Sequence, residues 1–279
     1  MGAERPAVQL GTGEVLDVGG LVDDIDGAAL SPERLRQLER AIGGSRPELP
    51  VLDLASARTG PPLTRIGKIV CIGLNYRAHA AESGQEPPAE PVIFMKAPST
   101  VVGPADDVLI PPTSSKTDYE VELAVVIGRT ARYLTSKDGA LGYVAGYAIS
   151  NDVSEREYQI ERGGQWDKGK NCETFNPFGP LLVTADEVGD PQSLALESKV
   201  NGEVRQSSTT ADMIFGVEHL IWYVSQFMVL YPGDVINTGT PQGVGLGFKP
   251  PRYLNDGDVV EMSVTGLGSQ RVVCRRASV

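Results

Sequence analysis

Apolar and polar positions along the 279-residue chain fall into two regimes. Over residues 1–60, short apolar pieces ("AVQL", "EVLDV") precede "SPERLRQLERAI", where Ser31 is placed to cap a helix and Pro32 to open it. From Lys68 onward the pattern is that of strands: "KIVCIGL", "PVIFMK", "YEVELAVVIG", "GYVAGYAISNDV" and "LESKVNGEV", divided by Gly, Pro and Asn. In the last of these, Asn201-Gly202 predicts a two-residue hairpin turn, because both residues tolerate positive φ. Met213, Val217, Leu220 and Ile221 recur at three- and four-residue steps and predict one helix over 211–229. The pattern as a whole predicts a β-rich α+β fold: a small N-terminal α+β domain over 1–62, the connector "SARTGPPLTRIG", and a β-rich domain over 63–279.

One strand breaks the usual rule. In "TDYEVELAVVI", residues 117–127, Glu120 and Glu122 share a face, and Ala124 and Val126 continue it. Val125 and Ile127 continue the opposite face, so the strand reads as buried on both sides. Two ionised carboxylates there are costly unless a cation lies between them. Asp152, ending the apolar "ISND", supplies a third carboxylate. Three oxygen ligands without a His or Cys cluster favour Mg²⁺ or Mn²⁺ over zinc. On spacing alone, surface or salt-bridged carboxylates remain alternatives.

Composition narrows the classes. Hydrophobic residues at 41% and charged residues at 22% exclude disordered and fibrous chains. The apolar runs are too short or too interrupted to span a bilayer, and "MGAERPAVQL" carries no signal-peptide core, so a cytoplasmic protein is expected. Cys71, Cys172 and Cys274 are odd in number and far apart, which predicts free thiols. The formal charge of −11 argues against nucleic acid as a partner and means that an anionic ligand needs a local counter-charge, such as a divalent cation.

Other motifs carry weaker signals. His79 and Glu82 in "NYRAHAAE" lie three apart, so on a helical turn the carboxylate can orient the imidazole; the residues alone favour a surface histidine on a flexible loop. His219 lies inside the apolar helix, where a core or helix-surface role is expected, and Lys168 is expected to be exposed. Arg156 and Gln159 follow Asp152 by four and seven residues, one face of a helical segment or, for Arg156, an ion pair. "NTGTPQGVG" lacks the Lys-Ser/Thr ending of a phosphate loop and the context of a dinucleotide loop. Its backbone N–H groups and the Thr240 hydroxyl can instead hold a carboxylate or carbonyl oxygen.

Seven collinear blocks over about residues 65–275 resemble the fumarylacetoacetate hydrolase family: "GLNYRAHAAESG", "PVIFMKAPST", "DYEVELAVVIG", "NDVSEREYQIERGGQW", "GKNCETFNPFGP", "VNGEVRQSSTTADMIF" and "PGDVINTGTPQGVG". The resemblance implies a mixed β-roll, assembled as a homodimer, with Mg²⁺ or Mn²⁺ held by Glu120, Glu122 and Asp152. It implies that His79 and Glu82 form a lid pair that deprotonates water, and that Lys170 faces the substrate carbonyl. Arg156 and Gln159 would contact polar groups of the substrate, and Gly239 and Thr240 would belong to a Gly-Thr-Pro motif with Thr240 facing the ligand. The implied substrate is a small 2-oxo or 2,4-dioxo carboxylate, cleaved by water between C3 and C4 to pyruvate and a second acid. Oxaloacetate decarboxylation or 2-oxo acid tautomerisation or isomerisation on the same site is the alternative. The N-terminal unit and "GVGLGFKPPRYLNDGDVVEMSVTGLGSQR" look most like the 2,4-diketo-3-deoxy-fuconate or -rhamnonate hydrolases, a group often labelled ureidoglycolate lyases. Asn171-Cys172-Glu173 departs from the Ser-Cys-Asp or Ser-Phe-Asp commoner there, a difference beside Lys170 that bears on substrate choice.

Overall fold

The computed structural model describes residues 4–43, 49–54 and 57–278. Ser56, the first residue of the expected connector, lies outside them. Two mixed sheets carry the fold. The six-stranded sheet runs in the order Val183–Thr184, Val144–Asn151, Val121–Ile127, Val235–Asn237, Ile69–Gly73, Val92–Lys96. Its central strand, Val121–Ile127, pairs antiparallel with both neighbours, while Val235–Asn237 runs parallel to Ile69–Gly73. The five-stranded sheet runs Glu203–Thr209, Ala195–Val200, Val259–Val264, Gly268–Arg276, Val108–Ile110, with the last pair parallel. Mixed sheets with few helices are the architecture expected from the sequence.

Alternation places the core. Val121, Leu123, Val125 and Ile127 pack with Leu196, Val260 and Met262 of the other sheet. Ala124 and Val126 face away from it, among Ile69, Cys71, Phe94 and Val235. Ile25, Leu30 and Leu35 from the N-terminal segment pack on this second face. Both faces of the strand are therefore dry, which accounts for its apolar run, and the two glutamates extend the second face beyond the packed region.

Local predictions meet the structure unevenly. Asn201 and Gly202 have φ of 53° and 78° and join Ala195–Val200 to Glu203–Thr209, as a hairpin turn requires. Arg34 N–H donates to Ser31 Oγ at 3.3 Å at the start of the helix Pro32–Gly43. The helix expected over 211–229 is restricted to Val217–Val224. Upstream, the Asn75 side chain takes the Phe215 N–H and donates to the Phe215 carbonyl, and Ile214 N–H bonds the Asn75 carbonyl, so this backbone serves a tertiary contact. The strand expected over 117–127 divides into Thr117–Asp118, paired with Ser154–Glu155, and Val121–Ile127. Glu120 falls between them because its N–H donates to the Asn151 side chain rather than to a ladder carbonyl. The three cysteines are free thiols. Among the described residues, no helix is long and apolar enough to cross a membrane.

Candidate active site

Strand pairing assembles the acidic cluster. Val121 lies opposite Asn151, and Asp152 N–H donates to the Glu120 carbonyl at 3.0 Å, so Glu120, Glu122 and Asp152 gather at one end of two paired strands. All three are buried, and one carboxylate oxygen from each lies within 4.8 Å of the others.

Three buried cations surround them. Lys170 Nζ donates to Glu120 Oε2 and to Asp152 Oδ2, each at 2.7 Å. Lys96 Nζ approaches Asp152 Oδ1 to 2.7 Å without hydrogen-bond alignment, and it donates to the carbonyls of Val153 and Lys170. Arg156 Nη2 lies 2.7 Å from Glu120 Oε1, Nε donates to Asp118 Oδ2 at 2.8 Å, and Nη1 donates to Gln159 Oε1 at 3.0 Å. Arg156 and Gln159 thus meet, as their spacing suggested, across the short turn Glu157–Glu161, and Arg156 is also in an ion pair.

Among the described residues, four carboxylates, counting Asp118, face three cations, and Glu122 is the one left over. Its Oε2 accepts the Gly239 N–H, at 2.8 Å. Burial first, then the charges of Asp152 and Glu120, push the Glu122 carboxyl well above its usual range. Burial acts the same way on Glu120, but Lys170 and then Arg156 outweigh it and hold that carboxyl down to about 2. For Lys170, burial opposes the ammonium, and Asp152 and Glu120 more than restore it. An all-oxygen cluster with one carboxyl lacking a cation is the donor set a hard divalent ion takes, so Glu120, Glu122 and Asp152 fit Mg²⁺ or Mn²⁺.

His79 and Glu82 lie on the short helix Arg77–Glu82, with Nδ1 and Oε1 2.9 Å apart. His79 is buried, and the loop that gives its Gly239 N–H to Glu122 also reaches the pair. Pairing Nδ1 with a carboxylate puts the proton there and leaves Nε2 as the basic atom. Both Glu82 oxygens also accept the Gly243 N–H, at 3.0 Å each.

The remaining expected residues sort by where their polar atoms go. Gly239, at φ 95°, presents its N–H to Glu122, and a Cβ there would lie 2.8 Å from that of Asn75. The Thr240 hydroxyl donates to the Val121 carbonyl and accepts from Gln206, so it ties the loop to the strands Val121–Ile127 and Glu203–Thr209. Asn171 turns away from Lys170: its amide donates to the carbonyls of Met95 and Asp167, and its oxygen accepts the Ala97 N–H. Lys168 is exposed. His219 stacks on Phe215 and Tyr223 at the surface of its helix. Sequence reasoning missed Asp118, two residues before Glu120 in "TDYEVELAVVI", and Lys96, the lone charge ending the apolar "PVIFMK"; these positions were themselves the available signal. Two cavities of about 370 and 410 Å³ include no triad residue in their walls, so the chemistry of the cluster, not cavity size, identifies the site.

Comparison with known proteins identifies the family. The model of the fumarylacetoacetate (FAA) hydrolase C-terminal domain matches residues 68–274. A 2,4-didehydro-3-deoxy-L-rhamnonate hydrolase from Sphingomonas sp. (strain SKA58) is 48% identical over 97% of this chain and 92% of its own. The crystal structure of maleylpyruvate hydrolase from Sphingobium sp. SYK-6, in complex with manganese(II) ion and pyruvate, superposes with a TM-score of 0.83 at 29% identity, covering 99% and 98% of the two chains. A 2-hydroxyhepta-2,4-diene-1,7-dioate isomerase from Mycobacterium marinum superposes with a TM-score of 0.72 at 37% identity over 82% of each chain. The chain belongs to the fumarylacetoacetate hydrolase family and is an enzyme of its hydrolase or isomerase type.

Proposed function

We propose that the chain is a Mg²⁺- or Mn²⁺-dependent hydrolase that cleaves the C3–C4 bond of a 2,4-dioxo acid, an acylpyruvate or a 2,4-diketo-3-deoxy sugar acid. The observation that carries this reading is the His79–Glu82 pair, joined through the 239–243 loop to an acidic triad that Lys170 bridges. Bound at Glu120, Glu122 and Asp152, the ion would supply Lewis-acid polarisation of the substrate's carboxylate and 2-oxo oxygens. His79 Nε2 takes a proton from water, and Glu82 stabilises the resulting imidazolium. The hydroxide adds to C4, the C3–C4 bond breaks, and its electron pair passes to the pyruvate enolate. The Lys170 ammonium offsets the charge developing on the enolate oxygen. Return of the proton to C3 gives pyruvate and the second acid, so water is the only co-reactant. Arg156 and Gln159 would orient polar substrate groups, and Gly239 and Thr240 would shape the loop beside Glu122. A homodimer is the assembly proposed, to be checked by light scattering.

The test is a coupled pyruvate assay over acylpyruvates, diketo-deoxy sugar acids and oxaloacetate, with Mg²⁺ and Mn²⁺ compared. Metal-dependent pyruvate release from a dioxo acid is expected, and its absence across the panel overturns the reading. The likeness to an isomerase favours a second reading, isomerisation, tautomerisation or decarboxylation of a 2-oxo acid on the same triad. That reading predicts turnover that survives loss of His79.

A further inference from the structure

We propose that Asp118 is a positioning residue for this reaction: its carboxylate ties the glycine loop that holds Glu82 to the arginine that pairs with Glu120. The proposal rests on the roles given above to His79, Glu82 and the triad. Asp118 is fully buried, and both of its oxygens are doubly used. Oδ1 accepts the N–H groups of Tyr119 at 2.9 Å and Gly245 at 2.6 Å, while Oδ2 accepts Leu246 N–H at 3.0 Å and Arg156 Nε at 2.8 Å.

Residues 243–247 alternate between two carboxylates. Gly243 gives its N–H to Glu82, Gly245 and Leu246 give theirs to Asp118, and Gly247 packs on Glu82. Each glycine is needed for close approach. A Cβ on Gly243 would lie 2.0 Å from the Arg205 carbonyl oxygen, one on Gly245 would lie 2.3 Å from the Arg252 carbonyl oxygen and 2.7 Å from Asp118 Oδ1, and one on Gly247 would lie 2.4 Å from Glu82 Oε2. The glycine-rich stretch thus approaches carboxylates of its own chain. Through it, Glu82 is connected to Asp118, and through Arg156 Asp118 is connected to Glu120.

An amide cannot replace this carboxylate. Asparagine offers one acceptor oxygen, so its NH₂ must face either the N–H groups of Tyr119 and Gly245 or Leu246 N–H and Arg156 Nε, and a loop bond is lost in either orientation. Asp118→Asn is therefore expected to raise amide hydrogen exchange across residues 77–83 and to weaken Mn²⁺ binding in calorimetry, each about ten-fold or more. Combined with Glu82→Gln, its loss of kcat should be smaller than the product of the two single losses, because both break one connection. Asp234 is the control. It is buried and bonded to Lys68 and Tyr231, at the far end of the neighbouring strand, so Asp234→Asn should lower stability yet leave both readouts unchanged.

Wild-type exchange over 77–83 in Asp118→Asn overturns the proposal, as does an Asp234→Asn variant that behaves like it. If Asp118→Asn does not fold, Leu246→Pro removes one loop donor, and it should raise the exchange over 77–83 while sparing Mn²⁺ affinity; unchanged exchange there overturns the proposal. Neither hydrogen exchange nor Mn²⁺ binding needs substrate, so failure of the dioxo acid reading leaves those two readouts intact.

Discussion

Lys170 Nζ and Asp152 Oδ2 lie 2.7 Å apart in a fully buried ion pair, and the same ammonium reaches Glu120 at an equal distance. Removing one partner of such a pair leaves an uncompensated buried charge. Here the charge left behind sits on two residues suited to hold a cation, so the two expected effects run in opposite directions. Lys170→Met should lower kcat for pyruvate release by about a hundred- to a thousand-fold. Mn²⁺ should bind at least as tightly as to the wild type, because a competing positive charge has been removed. Calorimetry showing much weaker Mn²⁺ binding would mean that Lys170 builds the site rather than acting in it.

Glu122 makes the apo protein pH-sensitive in a defined direction. Its carboxyl is raised in the folded state, so above its usual pKa of 4.5 the folded chain keeps a proton that the unfolded chain has released. The folded state then binds more protons, and this group's contribution to stability falls as pH rises. Glu120, held down to about 2, has the opposite sign, and its contribution is lost only as pH falls from 4.5 towards 2. Metal binding would ionise Glu122 and remove its penalty. The rise in Tm on adding Mn²⁺ to chelator-treated protein should therefore grow between about pH 5 and pH 8. A rise independent of pH would separate Glu122 from the ion.

These features were unequally visible in the chain. Glu120 and Glu122 stood out because strand periodicity is local and the interruption fell within it, and the Asn201-Gly202 turn was visible because two residues suffice to specify it. Asp118 and Lys96 depend on partners far along the chain: Asp118 bonds Gly245 and Leu246 from 127 and 128 positions away, and Lys96 bonds the Lys170 carbonyl from 74 away. No window of sequence holds both ends of such contacts. The helix over 211–229 was overextended for the same reason, since Asn75 decides where its backbone turns.

His79 separates water activation from enolate chemistry. Its Nδ1 is committed to Glu82, so His79→Ala removes the basic Nε2 without touching a triad ligand. Hydrolysis of a dioxo acid should fall about a hundred- to ten-thousand-fold, the range for loss of a general base. Metal-dependent exchange of the pyruvate methyl protons with deuterium, followed by NMR, reports the chemistry left to the triad and Lys170. Loss of hydrolysis with exchange retained is expected, whereas retained hydrolysis would give water activation to another group.

Asn171 stands where a serine is commoner in similar sequences, and the structure assigns the difference to scaffolding. The side chain links the strand Val92–Lys96 to the turn Asp167–Lys170 through Met95, Ala97 and the Asp167 carbonyl, while Asp167 Oδ1 takes the Met95 N–H. The strand ends in Lys96 and the turn in Lys170, the two lysines that meet Asp152. A serine cannot make all three bonds, so Asn171→Ser should lower stability by about 1–3 kcal/mol through backbone groups left unsatisfied. Because the side chain makes no contact with the triad, the ranking of substrates by kcat/KM should stay the same. Denaturant unfolding with the substrate panel checks both, and a reordered ranking at unchanged stability would place Asn171 against the substrate instead.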